Sequence, residues 1–467
     1  MSVPNVILIL ADQQRHDTMG VHGCPLELTP HLDRRAGDGL HLARHYTPHP
    51  VCTPARAALW TSRYGQLTGV HRNGTRLPTD DERGDGPTVA DVFNDHDYRT
   101  GYIGKWHLAH GLSDHHGPVP PEARGGFRDW LAADALELLT EPNRCVLFDN
   151  DGNKHRLPGY RTDALTDAAI RYVQQRHGDG QPFFLVVSHL EPHEDNLTGR
   201  YVGPAGMAER YRGRWMPPDL TSLPGVGAPG GQQLDGLTGG NAGADWADYC
   251  AMCRRLDDAT QRLTEAVESL DFSNETVFAY TADHGTHFGT RVAHNKCTGH
   301  EASTRVPGVI WGGPFEGAGR VGRPTSLLDL APTLLAGCGL VPPGSMQGVD
   351  LRRQRGHDDL LIAVSQTEVG RALATGRWKY GVTGVDADAK TGATAAVYEE
   401  RYLYDLRHDP YELDNLIDRR ALDGVAGVLR ERLRSALART GEADATIRPI
   451  ARPHGGQLQF SRELGRE

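Results

Sequence analysis

The most constraining feature of this 467-residue chain is a set of short apolar runs, at residues 6–10, 102–103, 183–187, 277–280 and 309–311. Runs of this length without alternating polar positions suit strands buried on both faces. Helical spacing at residues 55–61, 163–175, 247–270 and 326–335 lies between them. Strands alternating with helices predict an α/β fold with a mostly parallel sheet sandwiched by helices. In such sheets, ligand-binding residues gather just past the carboxyl ends of strands. Asp12, His189 and the pair Asp283-His284 stand at those places.

Past residue 350 the pattern changes. Runs at 378–382 and 402–406 read as antiparallel strands, and 429–437 reads as a late helix. We therefore expect a catalytic α/β domain over 1–360 and a smaller C-terminal antiparallel-sheet subdomain over 361–467. Residues 220–243, rich in Gly and Pro, read as a long loop.

Composition narrows the function classes. The net charge of −10 argues against a nucleic-acid partner, which needs clustered Lys and Arg. No stretch approaches the roughly 18–20 apolar residues of a membrane span, and no secretory leader is legible. The expected location is the cytoplasm, with no membrane contact. The 7 cysteines are odd in number and scattered, unlike a disulfide framework. Cys250 and Cys253 form a CxxC within a helical stretch and are expected to be buried helix residues, not a zinc or redox pair.

The segment Pro50-Val51-Cys52-Thr53-Pro54-Ala55-Arg56 carries the sharpest local signal. Pro54 suits the first turn of a helix, where its missing N–H costs nothing. Cys52 then sits at a helix N-terminus, which favours negative charge. Arg56, one turn on, can reach back toward residue 52 or bond an anion held there. Asp12 and Asp283 each end an apolar run, where a free carboxylate is costly without a partner. Two of them at strand ends of one sheet suggest a hard divalent cation. Lys105 and His107 in Gly104-Lys105-Trp106-His107 alternate onto one face of an extended segment and make sense facing an anion.

The Cys52 segment resembles the Cys-x-Pro-x-Arg signature of the formylglycine-dependent sulfatase family, within the alkaline-phosphatase-like superfamily. Pro4–Gln13, Gly104–His107, Asp283-His284-Gly285 and Asn295–Pro307 resemble further motifs of that family, in its order. Tyr402–Leu406 and Asp409–Leu416 look like its C-terminal strand and turn. The resemblance implies an alkaline-phosphatase-like fold and hydrolysis of a sulfate monoester, of a carbohydrate or a small metabolite. It implies that a formylglycine-generating enzyme oxidises Cys52 to formylglycine. Hydrated, that group has two hydroxyls on one carbon, one to attack sulfur and one to expel sulfate; a thiol lacks the second. It implies one divalent metal on Asp12, Gln13, Asp283 and His284, most often Ca²⁺. The His and the Gln leave room for Mn²⁺ or Mg²⁺. Gln13 stands where relatives often have a second Asp.

By the same resemblance Arg56, Lys105, His107, His189 and Lys296 join Cys52 as catalytic residues, and His193 and His300 as substrate-binding ones. His189 and Lys296 are both candidates for the proton donor to the leaving oxygen. Two alternatives stay open. One is a phosphonate monoester or phosphodiester hydrolase using the same site. The other is a non-catalytic binder of sulfated ligands whose Cys52 stays a thiol.

Overall fold

The computed structural model describes residues 3–84, 86–113, 116–196, 198–223, 242–270, 276–292, 294–442 and 444–450. The apolar runs form strands β1 (Asn5–Ala11), β2 (Arg99–Lys105), β4 (Phe183–Ser188), β5 (Thr276–Ala282) and β6 (Gly308–Trp311), with β3 (Asp129–Ala133) between the second and third of these. Their order across the sheet is β6-β5-β1-β4-β2-β3, and β5 through β3 run parallel. All seven residues of β1 are buried, as a strand covered on both faces requires. β6 reverses direction beside β5, and a hairpin of Arg144–Asp149 and Lys154–Pro158 adds two antiparallel strands beyond β3. Leu40–Leu42 and Gly319–Val321 complete ten strands at the other edge.

Helices α1 (Cys52–Thr61), α2 (Arg161–Arg176) and α3 (Ala242–Ser269) cover the sheet, with α2 packed on both α3 and β4. Cys250 and Cys253 lie on α3, buried and unpaired as disulfides. The helix expected over 326–335 is instead a short turn, Leu327–Asp329, followed by a helix over Leu330–Gly337. Ser326 and Asp329 form a reciprocal cap there, which draws the first turn tight. Of the loop expected over 220–243, residues 224–241 lie outside the described residues.

The C-terminal sheet holds β7 (Asp359–Val364), β8 (Gly370–Thr375), β9 (Trp378–Gly384) and β10 (Val397–Asp405), all antiparallel, with β11 (Thr446–Arg448) parallel to β10. Helix α4 (Asp423–Ala438) packs Leu429, Leu433 and Leu437 into a core with Leu373 and Leu403. This sheet abuts the segment before Cys52: Ala363 N donates to Pro48 O at 2.9 Å, and the His49 ring meets Ser365 Oγ at 2.8 Å. Among the described residues, no helix is long and apolar enough to cross a membrane.

Candidate active site

Register builds the centre of the site. β1 and β5 pair as parallel neighbours through Ala11 and Ala282, so the next residue of each strand, Asp12 and Asp283, arrives side by side. Two adjacent buried carboxylates repel, and Arg56 stands between them. Its Nη2 donates to Asp12 Oδ2 at 3.1 Å and its Nε to Asp283 Oδ2 at 3.0 Å. Its Nη1 donates to Lys105 O and Ser188 Oγ, both at 2.8 Å. Arg56 was expected to reach toward residue 52 or to bond an anion held there. The guanidinium is instead fixed as a clamp on the carboxylate pair, because two buried charges and two strand-end acceptors outcompete a single neighbour.

Cys52 is the first residue of α1, preceded by an extended Val51, and is 1% exposed. Its Sγ lies 3.2 Å from Lys296 Nζ, 3.3 Å from His284 Nε2 and 3.8 Å from Lys105 Nζ. Burial opposes ionisation, but Lys105, Lys296, His284 and a hydrogen bond with His107 hold the thiol well below its ordinary value. The pocket is therefore built to stabilise an anion at residue 52.

His284 is oriented by its own loop. Its Nδ1 donates to Gly285 O at 2.9 Å, which directs Nε2 toward Cys52, Asp12 and Asp283. One ligand atom each from Asp12, Cys52, Asp283 and His284 lies within 4.8 Å of the others. Carboxylate oxygens and an aimed imidazole nitrogen fit a divalent cation. Burial opposes the charge on Asp12, yet Lys105, His193 and Arg56 keep its carboxyl well below the usual range. Asp283 is held above that range by burial and by Asp12.

Gln13 departs from its expected place among the ligands. Its amide oxygen accepts from Lys296 Nζ at 3.1 Å, and its amide nitrogen donates to Glu194 Oε2 at 2.8 Å and Tyr201 OH at 2.7 Å. The side chain is thus committed to the lysine side of the pocket. Only its backbone N–H reaches the cation group, donating to Asp283 Oδ1 at 3.2 Å.

Lys105 ends β2, where Gly104 has φ +110° and a Cβ would lie 2.0 Å from Ser188 O, so only glycine allows the approach of β2 to β4. Lys105 Nζ donates to Asp12 Oδ2 at 2.6 Å and lies 3.1 Å from Glu137 Oε1. His107 does not share an extended face with Lys105: the strand has ended, and His107 is left-handed at φ 59°. The two meet because Glu137 Oε1 also lies 3.3 Å from His107 Nδ1. Burial opposes its charge, but Lys105 and His107 lower the Glu137 carboxyl to about 2.

Across the pocket, Lys296 Nζ lies 2.9 Å from His193 Nε2, whose Nδ1 meets Glu194 O at 2.7 Å. Burial and Lys296 push His193 down, but Asp12, Glu194 and Cys52 raise it above its ordinary value. Glu194 is lowered to about 2 against burial, by His193 and Lys296 first. Glu137 and Glu194 were not anticipated. Glu194 directly follows His193, and that adjacency was its one legible signal.

Two expected residues are not among the side chains that contact Cys52 Sγ among the described residues. His189 follows β4 as anticipated, but burial holds its ring near 3 and its Nδ1 has no hydrogen-bond partner among the described residues. His300 packs its ring on Tyr402 at 4.8 Å and lies 3.4 Å from Tyr404 OH, against the C-terminal sheet. The aromatic face of β10 claims it, and it is not among the contacts of Cys52.

The sulfatase family model matches residues 4–340. The ulvan-active sulfatase of Formosa agariphila is 28% identical over 466 residues, covering 94% of this chain and 82% of that protein. Human arylsulfatase A is 28% identical over 487 residues, covering 92% and 86%. The YidJ protein of Bacteroides fragilis superposes with a TM-score of 0.77 at 23% identity, covering 94% of this chain and 96% of its own. A sulfatase-fold structure solved with its substrate D-glucosamine-2-N,6-O-disulfate gives a TM-score of 0.71 at 19% identity, covering 95% and 99%. The matched span includes every strand of the large sheet and all the groups around Cys52, and this chain belongs to the sulfatase family of sulfuric ester hydrolases.

Proposed function

We propose that the protein hydrolyses a sulfate monoester of a saccharide, with residue 52 as a formylglycine nucleophile and one divalent cation beside it. The observation that carries this reading is the convergence of Lys296, Lys105 and His284 on Cys52 Sγ within 3.8 Å, beside the carboxylates of Asp12 and Asp283. A relative named for ulvan, and a fold neighbour bound to a glucosamine disulfate, support a saccharide sulfate as the substrate class.

Lys105 and Lys296 are both held above the ordinary lysine range against burial, Lys105 chiefly by Asp12 and Lys296 chiefly by Cys52. Both stay charged and bind the sulfate oxygens as point charges. Arg56 holds the two carboxylates at fixed separation. Asp12, Asp283 and His284 would hold the cation, which would polarise the ester and favour an ionised nucleophile. As a hydrated aldehyde, residue 52 would supply one hydroxyl to attack and a second to release the product. His189, neutral under burial, is a poor proton donor. Lys296, whose Nζ lies 2.9 Å from His193 Nε2, would deliver the proton to the leaving oxygen, with His193 as its neighbour in that step.

The test has two parts. Protein made with a formylglycine-generating enzyme is cleaved after Arg44 and Arg56, and the mass of peptide His45–Arg56 reports residue 52. The same preparation is assayed on aryl sulfate, aryl phosphonate and phosphodiester substrates. An aldehyde mass with dominant aryl sulfate turnover is expected. Dominant turnover of the phosphorus esters overturns the substrate, and an unmodified cysteine without turnover overturns the chemistry.

A further inference from the structure

Away from Cys52, the start of β7, the β8–β9 turn and the end of α4 enclose a cleft of about 950 Å³ lined by Arg323, Arg377, Arg407, Arg432 and Arg439. The chain carries a net charge of −10, so this is a local reversal of sign. Three of the arginines are matched: Arg323 to Asp358 at 2.6 Å, Arg377 to Asp405 at 2.6 Å and Arg432 to Asp359 at 2.7 Å. Arg407 and Arg439 make no ion pair among the described residues and are exposed. The Arg377 guanidinium lies over the Trp378 ring at 4.6 Å, which fixes that wall of the cleft.

We propose that this cleft binds a sulfated stretch of an oligosaccharide, at a distance from the ester that is cut. The proposal rests on the saccharide sulfate reading above and names what that reading leaves open, namely that the substrate is a chain and not a single sulfated sugar. Guanidinium groups match sulfate through paired donors, and Arg407 and Arg439 are the two whose donors are not already directed at a carboxylate.

Placement supports a role in the same substrate. Asp359, in the cleft, begins β7, and Ala363, near the end of that strand, donates to Pro48, four residues before Cys52. From Asp359 to Ala363 the strand spans roughly 13 Å at about 3.3 Å per residue, and Cys52 lies beyond that point. A short oligosaccharide covers such a distance and a monosaccharide sulfate does not. Contacts made there would hold the chain near the site by effective concentration, without touching the reaction. They would also weaken as salt screens the exposed arginines.

The experiment measures binding of size-fractionated heparin oligosaccharides to the full chain, with an unsulfated oligouronate of matched length as a control. A double variant, Arg407→Glu with Arg439→Glu, and a milder one, Arg407→Ala with Arg439→Ala, are compared with wild type. Turnover of a small aryl sulfate reports the integrity of the catalytic site. The expected result is salt-sensitive heparin binding, weakened on the order of tenfold in the Glu variant and less in the Ala variant, with aryl sulfate turnover unchanged. Equal heparin binding by wild type and both variants overturns the proposal, as does wild type that binds no heparin. Equal binding of the oligouronate overturns the choice of sulfate. Aryl sulfate turnover with no cleft binding sinks this inference alone; loss of aryl sulfate turnover in wild type sinks the functional reading beneath it.

Discussion

Replacing Arg56 with Met tests the clamp. In the native protein Asp283 Oδ1 is held by the backbone N–H groups of Gln13 and His284, and its Oδ2 by Arg56. Asp12 keeps Lys105 when Arg56 is lost. Hydrogen bonds to charged groups contribute about 1.5–3 kcal/mol each, and Arg56 makes two, one to each carboxylate. Leaving a buried charge without its partner costs about 3–5 kcal/mol. The two routes agree on a loss of about 3–5 kcal/mol for Arg56→Met, falling mainly on Asp283. Arg56→Lys keeps the charge but not the fork, and about half that loss is expected. The assay is urea unfolding in a chelator, with the slope unchanged and the midpoint shifted. Adding a divalent cation should then narrow the gap, because the variant's site carries more uncompensated negative charge and binds the cation more tightly. A Met variant within about 1 kcal/mol of wild type in chelator, or a gap that the cation leaves unchanged, refutes the clamp.

Four further outcomes are expected. Burial lowers His45 to about 4 and His49 to about 3, so both stay neutral in the fold while the unfolded chain takes up protons below about 6.5. Their contribution is complete above pH 6.5 and is lost as pH falls toward 4 and then 3; a urea midpoint that stays flat between pH 6.5 and 4 contradicts this. Glu137→Gln should lower kcat/KM on aryl sulfate about ten- to a hundredfold by loosening Lys105 and His107, and unchanged kinetics would remove Glu137 from the site. Lys379 Nζ lies 2.8 Å from Glu301 Oε1 and donates to Gly299 O at 3.1 Å, so Lys379→Met should cost about 3–5 kcal/mol in unfolding and expose the Lys296 loop to proteolysis. Chelation should abolish turnover, with Mn²⁺ restoring it better than Ca²⁺ because of the His284 nitrogen; His284→Asn should shift the order toward Ca²⁺, and identical orders in the two proteins count against His284 as a ligand.

The large sheet was legible because its strands are buried on both faces and so appear as unbroken apolar runs. Asp12, His189 and Asp283 were legible because they directly follow those runs, whereas Arg56 and Lys296 were assigned from the resemblance to the family's motifs. Edge strands were not legible: Lys154–Pro158 is largely exposed and Gly319–Val321 has three residues, so neither carries a pattern. Glu137 could not be read from sequence, since its only relation to Lys105 is through space. Gln13 and Arg56 were found, but their partners were not, because hydrogen bonds chosen among several nearby acceptors depend on packing and not on order along the chain. His107 and His300 show the same limit: a left-handed turn in one case, and a pair of tyrosines from a distant strand in the other, decide where each ring points.

Cys52 lies almost wholly beneath the finished fold, at 1% exposure. An enzyme that remakes this side chain must take the surrounding segment into its own cleft, so it has to act before the sheet closes. The last wall of the pocket is made late: Lys296 follows Cys52 by 244 residues. At a synthesis rate of about 5–20 residues per second, that separation opens a window of roughly 10–50 seconds. Conversion of Cys52, as proposed above, would thus be a race between modification and folding, and conditions that hasten closure of the sheet should raise the fraction of chains that emerge with an unconverted thiol.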